Sequence, residues 1–173
     1  MSGKKLAFAR GLVALLFVGC VGAKAETRAE RGKYLVTLAG CSDCHTPGTF
    51  LSKPDMGKFL GGSDVGFFVP GLGIFPGQNL TPDPETGLGK WTDDQIVTAM
   101  TTGVRPDGRK LAPIMPVEAL AKLTKDDAQA IVAFLRTIPA VKNAVPGPFG
   151  PKEKPSVFVF TVLPPDQFVN VPQ

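Results

Sequence analysis

Histidine is almost missing from this chain: His45 is the only one in 173 residues. Cysteine is nearly as scarce, at three, and tryptophan and tyrosine occur once each. A single histidine excludes any site built on two imidazoles. Three cysteines exclude the disulfide framework that staples many small exported domains. A bilayer-spanning run is lacking too: a spanning helix needs about 20 apolar residues, and GLVALLFVGCVGA at 11–23 has 13.

That short run has the context of a secretory leader. Lys4, Lys5 and Arg10 precede it and Ala23-Lys24-Ala25 follows as an A-x-A cleavage site. Residues 1–25 are read as a signal peptide, with a retained anchor helix as the alternative. Cys20 at the end of the run leaves lipid anchoring as an alternative, although Phe17 stands where such a motif normally has leucine. Cleavage removes four of the nineteen basic residues and none of the fifteen acidic ones, so the remaining chain is neutral. Nucleic-acid binding then loses its support, because phosphates require clustered positive charge. No membrane span remains, and only Cys41 and Cys44 are left. A lone CxxC closes too small a loop to be an effective staple.

Residues 26–39 suit a helix with Tyr34, Leu35 and Leu38 on its apolar face, ended by Gly40. Gly32 within it suggests close approach by another helix. Residues 46–90 are rich in glycine and proline and read as a long loop, yet Phe67, Phe68, Val69, Leu72, Ile74 and Phe75 make it too apolar for a solvated linker. Thr92 with Gln95 forms a capping box for a second helix, which Gly103 stops. Pro106-Asp107-Gly108 marks a turn in an extended stretch, 104–116. A short helical piece lies near 118–123. A last helix begins at Thr124 with Ile131, Phe134, Leu135 and Ile138 inward, and Pro139 ends it. From there on, 35 residues hold 8 prolines, an extended arm in which VFVFTVL (157–163) is an edge strand or an apolar strip. The expected fold class is all-α: a domain at 26–140 with one long Gly/Pro-rich loop, and a Pro-rich C-terminal arm at 141–173.

The chemistry concentrates in GCSDCHTPG, 40–48. A zinc site needs four ligands, usually from two pairs, and no second pair exists. A redox dithiol opens a helix after a strand in a βαβ unit, whereas this CxxC follows a predicted helix. C-x-x-C-H is also the attachment motif of c-type haem. Two thiols form thioethers with the haem vinyl groups, and the adjacent His45 is the proximal iron ligand. With no second histidine the sixth ligand is methionine, lysine, water or nothing, and the methionine candidates are Met56, Met100 and Met115. Met100 lies on a helical stripe and reads as core. Met56 is only 11 residues beyond His45. Met115 sits in Pro113-Ile114-Met115-Pro116, where prolines stiffen the backbone into a strap. It is the preferred ligand, with a buried methionine in a Pro-rich turn as the alternative.

In its combination of CSDCH, APIMP and the terminal AIVAFLRTI, the chain resembles a class I c-type cytochrome. Over about 28–140, NLTPDPETGLGKWTDDQI and GVRPDGRKLAPIMP are similar to cytochrome domains of alcohol and gluconate dehydrogenase cytochrome c subunits. Those subunits carry three haem domains and this chain shows one motif. The resemblance implies the class I cytochrome c fold, one covalent haem c, and Gly32 and Tyr34 meeting Phe134 and Leu135. It implies haem propionates held by polar groups near the loop, for which Asn79, Trp91, Arg105 and Arg109 are candidates. Phe67, Phe68, Leu72 and Phe75 are candidates for the haem wall, or pack against protein only. The expected function is a periplasmic carrier of single electrons. Its donor would be a periplasmic dehydrogenase, its acceptor a downstream cytochrome or oxidase, and its docking surface the haem edge near Cys41 and Cys44. A haem enzyme or gas sensor with a labile sixth ligand is the alternative. The apolar strip of the arm is expected to lie along a dehydrogenase, with packing along its own domain as the alternative.

Overall fold

A computed structural model describes residues 25–166; the expected leader, with Cys20, lies outside the described residues except for Ala25. Helix α1, Arg28–Leu38, opens with a capping box in which Thr27 and Glu30 satisfy each other's backbone N–H groups. The single-turn α2, Cys41–His45, comes directly after it. A hairpin comes next, β1 (Val65–Val69) and β2 (Gly73–Pro76). Then come α3 (Asp93–Thr102), α4 (Val117–Leu120) and α5 (Lys125–Leu135). A last strand, β3 (Phe158–Phe160), lies in the arm.

The three-stranded sheet overturns the all-α expectation. Its order is β2-β1-β3, with β1 antiparallel to β2 and parallel to β3. Phe67 pairs with Phe75 and Val69 with Gly73 across the hairpin. The glycines and prolines of this stretch do not break it into loop. They make the turn at 70–72 and its exit into β2, where Gly71 has φ 77° and Gly73 φ 125°, conformations that glycine adopts freely. The aromatic and β-branched residues on either side pair as strands.

The core lies where α1 crosses α5. Gly32 permits it: a Cβ there would stand 1.9 Å from the Ala130 carbonyl oxygen and 2.8 Å from Phe134 Cβ. Leu35 and Val36 of α1 pack with Ala130, Ile131, Val132, Phe134 and Leu135 of α5, joined by Leu60 and Ile96. The face of α1 differs from the expected one. Tyr34 is 53% and Leu38 69% exposed, so neither belongs to the core. At α3 the expected start and stop are both present: Thr92 and Gln95 form the capping box, and Gly103 caps the end at φ 72°. Thr124 caps α5.

Arg31 Nε donates to Asp127 at 2.9 Å, tying α1 to the first turn of α5. That hydrogen bond holds the Asp127 carboxyl below its ordinary value. A carboxylate whose folded value is lowered contributes stability above the ordinary aspartate range, and the contribution is lost as pH falls through the lower folded value. Asp127→Asn is therefore expected to lower the unfolding temperature slightly at neutral pH and to flatten its decline on acidification, measured by thermal melts across an acid series.

The arm lies on its own domain. Ile74 and Phe149 exchange both backbone hydrogen bonds, each 2.9 Å, and Phe149 is buried. β3 then adds to β1, and Phe160 joins Phe50 and Phe67 in an aromatic cluster with ring centroids 5.3–5.7 Å apart. Of VFVFTVL, Phe158–Phe160 form an edge strand on β1, so the strip lies along its own domain and not along a dehydrogenase as expected.

Candidate functional site

α2 exists because of Gly40. The chain leaves α1 at Ala39, turns through Gly40 at φ 63°, and re-enters helix at Cys41. Only residues tolerant of the left-handed region make that turn without strain. Cys41 and Cys44, three apart on one helical turn, share a face. Both are free, partly buried thiols. Burial pushes both thiols up from their ordinary values, the opposite of the lowering that activates a redox dithiol.

His45 is oriented by the segment that leaves β2. Its Nδ1 lies 2.6 Å from the Gln78 carbonyl oxygen. A carbonyl only accepts, so Nδ1 carries the proton and Nε2 presents its lone pair. Burial pushes the imidazole's basicity down, and the Gln78 carbonyl opposes that push in part. The neutral form is the one that binds a metal. The surrounding backbone grips His45 and the residue after it: Gly62 N–H donates to the His45 carbonyl at 2.9 Å, and Leu60 N–H donates to buried Thr46 Oγ1 at 3.0 Å. Gly77 packs directly on Cys44, where a Cβ would fall 1.7 Å from the carbonyl oxygen.

Met115 is partly buried and sits in a turn, not in the extended strap expected from its prolines. Its N–H donates to Ala112 O at 2.9 Å, and its carbonyl accepts from Val117 N–H at 2.7 Å, at the entry to α4. Met100 packs against the core and Met56 is 63% exposed.

The four polar candidates separate. Arg105 and Trp91 are brought together, with the guanidinium carbon 5.4 Å from the indole ring centre. Arg105 Nε is buried without a hydrogen-bond partner; Asp107 Oδ2, at 3.6 Å, is too distant to accept. Arg109 instead turns to Asp107, with Nε and Nη2 at 3.0 and 2.7 Å from Oδ2. Asn79 is buried with its amide engaged inside the protein, to Thr81, Thr86 and the arm. The apolar wall expected from the loop also divides. Phe67 is buried among Phe50 and Phe160, while Phe68 and Leu72 are 41% and 52% exposed. Sequence reasoning missed Arg136, which fastens the end of α5 to the Leu88 and Trp91 carbonyls and to Asp93. Its only sequence signal is a basic residue after an apolar helix.

These observations define a histidine-plus-dithiol site, and comparison with known proteins gives its class. The sequence profile of the cytochrome c family matches residues 29–139, and the chain belongs to the cytochrome c family. It is 35% identical over 133 residues to the cytochrome c subunit of a quinone alcohol dehydrogenase from Gluconobacter oxydans, covering 76% of this chain and 26% of that protein. It is 35% identical over 114 residues to a fructose dehydrogenase cytochrome subunit from Gluconobacter japonicus, 64% of this chain and 22% of the relative. A gluconate 2-dehydrogenase cytochrome c subunit from Pantoea cypripedii is 30% identical over 105 residues, 61% and 22% respectively. The chain thus spans about a quarter of the length of these relatives.

Membership implies covalently bound haem c and electron transfer. The residues fit that group on three counts. Two unpaired thiols share one helical face. One imidazole has Nδ1 committed and Nε2 free. A buried guanidinium nitrogen lacks an acceptor that a carboxylate would supply.

Proposed function

We propose that this protein is a periplasmic monohaem c-type cytochrome that carries single electrons from a periplasmic dehydrogenase towards the respiratory chain, as a free carrier or as a small electron-transfer subunit. The observation that carries the reading is His45, oriented through Nδ1 by Gln78, directly after two free cysteines on one turn of α2. In this reading residues 1–25 are removed on export and 26–140 form the haem domain. Haem c would supply a one-electron iron couple.

The chain's own residues have distinct tasks. Cys41 and Cys44 tether the group. His45 supplies Nε2, and the Gln78 carbonyl holds the ring at the proper tautomer. Met115, fixed between its two turn hydrogen bonds, supplies the thioether. Arg105, braced on Trp91, offers Nε–H to a propionate, while Arg109 stands further from that role because its Nε and Nη2 turn to Asp107, and Asn79 because its amide is engaged inside the protein. The dehydrogenase partner is inferred from the relatives, whose names describe cytochrome subunits of alcohol, fructose and gluconate dehydrogenases. Among the described residues no helix is long and apolar enough to cross a membrane.

Met115→Ala tests the electron-carrier assignment against a haem enzyme or gas sensor. The wild-type oxidised protein is expected to show the sulfur-to-iron charge-transfer band of a methionine ligand, and the variant to lose it while keeping the covalently attached haem. A wild-type protein that is high-spin and binds added ligands at once would favour the alternative.

A further inference from the structure

The stretch Asn79-Leu80-Thr81-Pro82-Asp83 stands out in the sequence, yet neither haem attachment nor iron ligation uses it. Asn79 is 2% exposed and Thr81 0%. The Asn79 Oδ1 accepts from Thr81 N–H at 2.9 Å and from Thr81 Oγ1 at 2.7 Å. Its Nδ2 donates to the Val141 carbonyl at 2.7 Å and to Thr86 Oγ1 at 3.0 Å. The arm returns these contacts. Val141 N–H donates to Thr81 Oγ1 at 3.1 Å, Asn143 N–H to Thr86 Oγ1 at 3.0 Å, and Asn143 Nδ2 to the Gly61 carbonyl at 2.8 Å.

The anchors of this network lie next to the contacts that hold His45. Gln78, whose carbonyl accepts from His45 Nδ1–H, directly precedes Asn79. Gly62, whose N–H holds the His45 carbonyl, is the immediate neighbour of Gly61. The peptide unit between Gln78 and Asn79 is planar and rigid, so the conformation of Asn79 decides where the Gln78 carbonyl points. A short side chain that accepts from the backbone two residues on, and donates to a segment 62 residues away, fixes that conformation from both sides.

We propose that Asn79 is a positioning residue for the iron ligand: with the arm's Val141 as its outer anchor, it aims the Gln78 carbonyl at His45 Nδ1. The proposal rests on His45 being the axial ligand. A firm Nδ1–H···O=C bond makes the imidazole more basic and a better donor to ferric iron. Loosening it favours the ferrous state and raises the reduction potential.

The test uses the exported, haem-loaded protein in three forms: wild type, Asn79→Ala and, as a surface control, Lys142→Ala. The reduction potential is measured by titration and the solvent exchange of the His45 Nδ1 proton by NMR. Asn79→Ala is expected to keep its covalent haem, to shift the ferric-to-ferrous ratio about tenfold towards ferrous at a fixed potential, about 59 mV for one electron, and to exchange that proton about tenfold faster. Lys142→Ala is expected to match wild type. A haem-loaded Asn79→Ala with unchanged potential and exchange overturns the proposal. If Asn79→Ala does not accumulate, Thr81→Val decides. It keeps the side chain's shape and removes the hydroxyl that donates to Asn79 Oδ1 and accepts from Val141 N–H, so it is expected to shift both readouts in the same direction by less, and no shift overturns the proposal. A wild-type protein without covalent haem would instead sink the parent reading.

Discussion

Ending the chain at Ala140 is expected to destabilise the whole domain, not only to remove a tail. The family match ends at residue 139, yet the fold depends on residues beyond it. Val141 and Asn143 supply partners to buried Asn79 and Thr81. Losing them strands polar groups away from water, at a cost of about 1–3 kcal/mol per group. Phe149 caps the hairpin at Ile74, and β3 covers one edge of β1. Phe149→Ala isolates one part of the effect and is expected to cost about 3 kcal/mol, a large share of a typical domain stability of about 5–15 kcal/mol. Urea unfolding would show it as a lower midpoint with little change in slope for Phe149→Ala. The truncated chain is expected to lose more, and its haem spectrum is expected to be perturbed because the Gln78–Asn79 segment that orients His45 loses its anchor on Val141. A truncated chain with wild-type stability and spectrum would return the arm to the role of a partner-binding tail.

Gly77→Ala is expected to be the most damaging change of a single methyl group. The added Cβ would sit 1.7 Å from the Cys44 carbonyl oxygen and 3.3 Å from His45 Nδ1. Both obstacles are held in place, one by the backbone of α2 and the other by the Gln78 carbonyl. Relief requires the hairpin to move off α2 by more than an ångström. That movement breaks the 2.8 Å bond from Ser63 N–H to the Gly77 carbonyl and weakens the neighbouring Gln78–His45 bond. Overpacking typically costs about 1–3 kcal/mol and occasionally more; an immovable backbone places this case at about 3 kcal/mol or above. The accompanying sign is an altered His45 environment, read as a changed potential in whatever fraction of the variant folds with haem. Gly71→Ala on the same hairpin adds a Cβ with nothing within 4 Å; its cost comes only from its φ of 77°, so it separates steric from conformational effects.

Local signals in the sequence proved legible. Thr92 with Gln95, Thr124, Gly103 and Gly32 each act through residues a few positions away or through the absence of a side chain, and each has the expected role. The hairpin was illegible for a physical reason. Pro70, Gly71 and Gly73 signal a break whether the flanking segments pair or not, and pairing with β3 joins positions more than ninety residues apart. Tyr34 and Leu38 fit an apolar helical face, but the face is chosen by where Gly32 lets α5 approach, which moves the buried stripe to Leu35 and Val36. Of the site, CSDCH is visible as a local motif. Its orienting contacts are not, because a carbonyl such as that of Gln78 has no side-chain signature. Asn79 illustrates the same limit: its residue type suggests a ligand contact, and only the fold shows its amide engaged with Val141.

The most direct measurement is intact mass combined with a pyridine haemochrome assay on protein exported from a host competent in cytochrome c assembly. The expected result is a chain beginning after residue 25 and carrying one covalently attached haem, with attachment abolished in the Cys41→Ala/Cys44→Ala double variant. An exported wild-type chain without covalent haem, or a double variant that retains it, would contradict the assignment of Cys41, Cys44 and His45 as a haem c site.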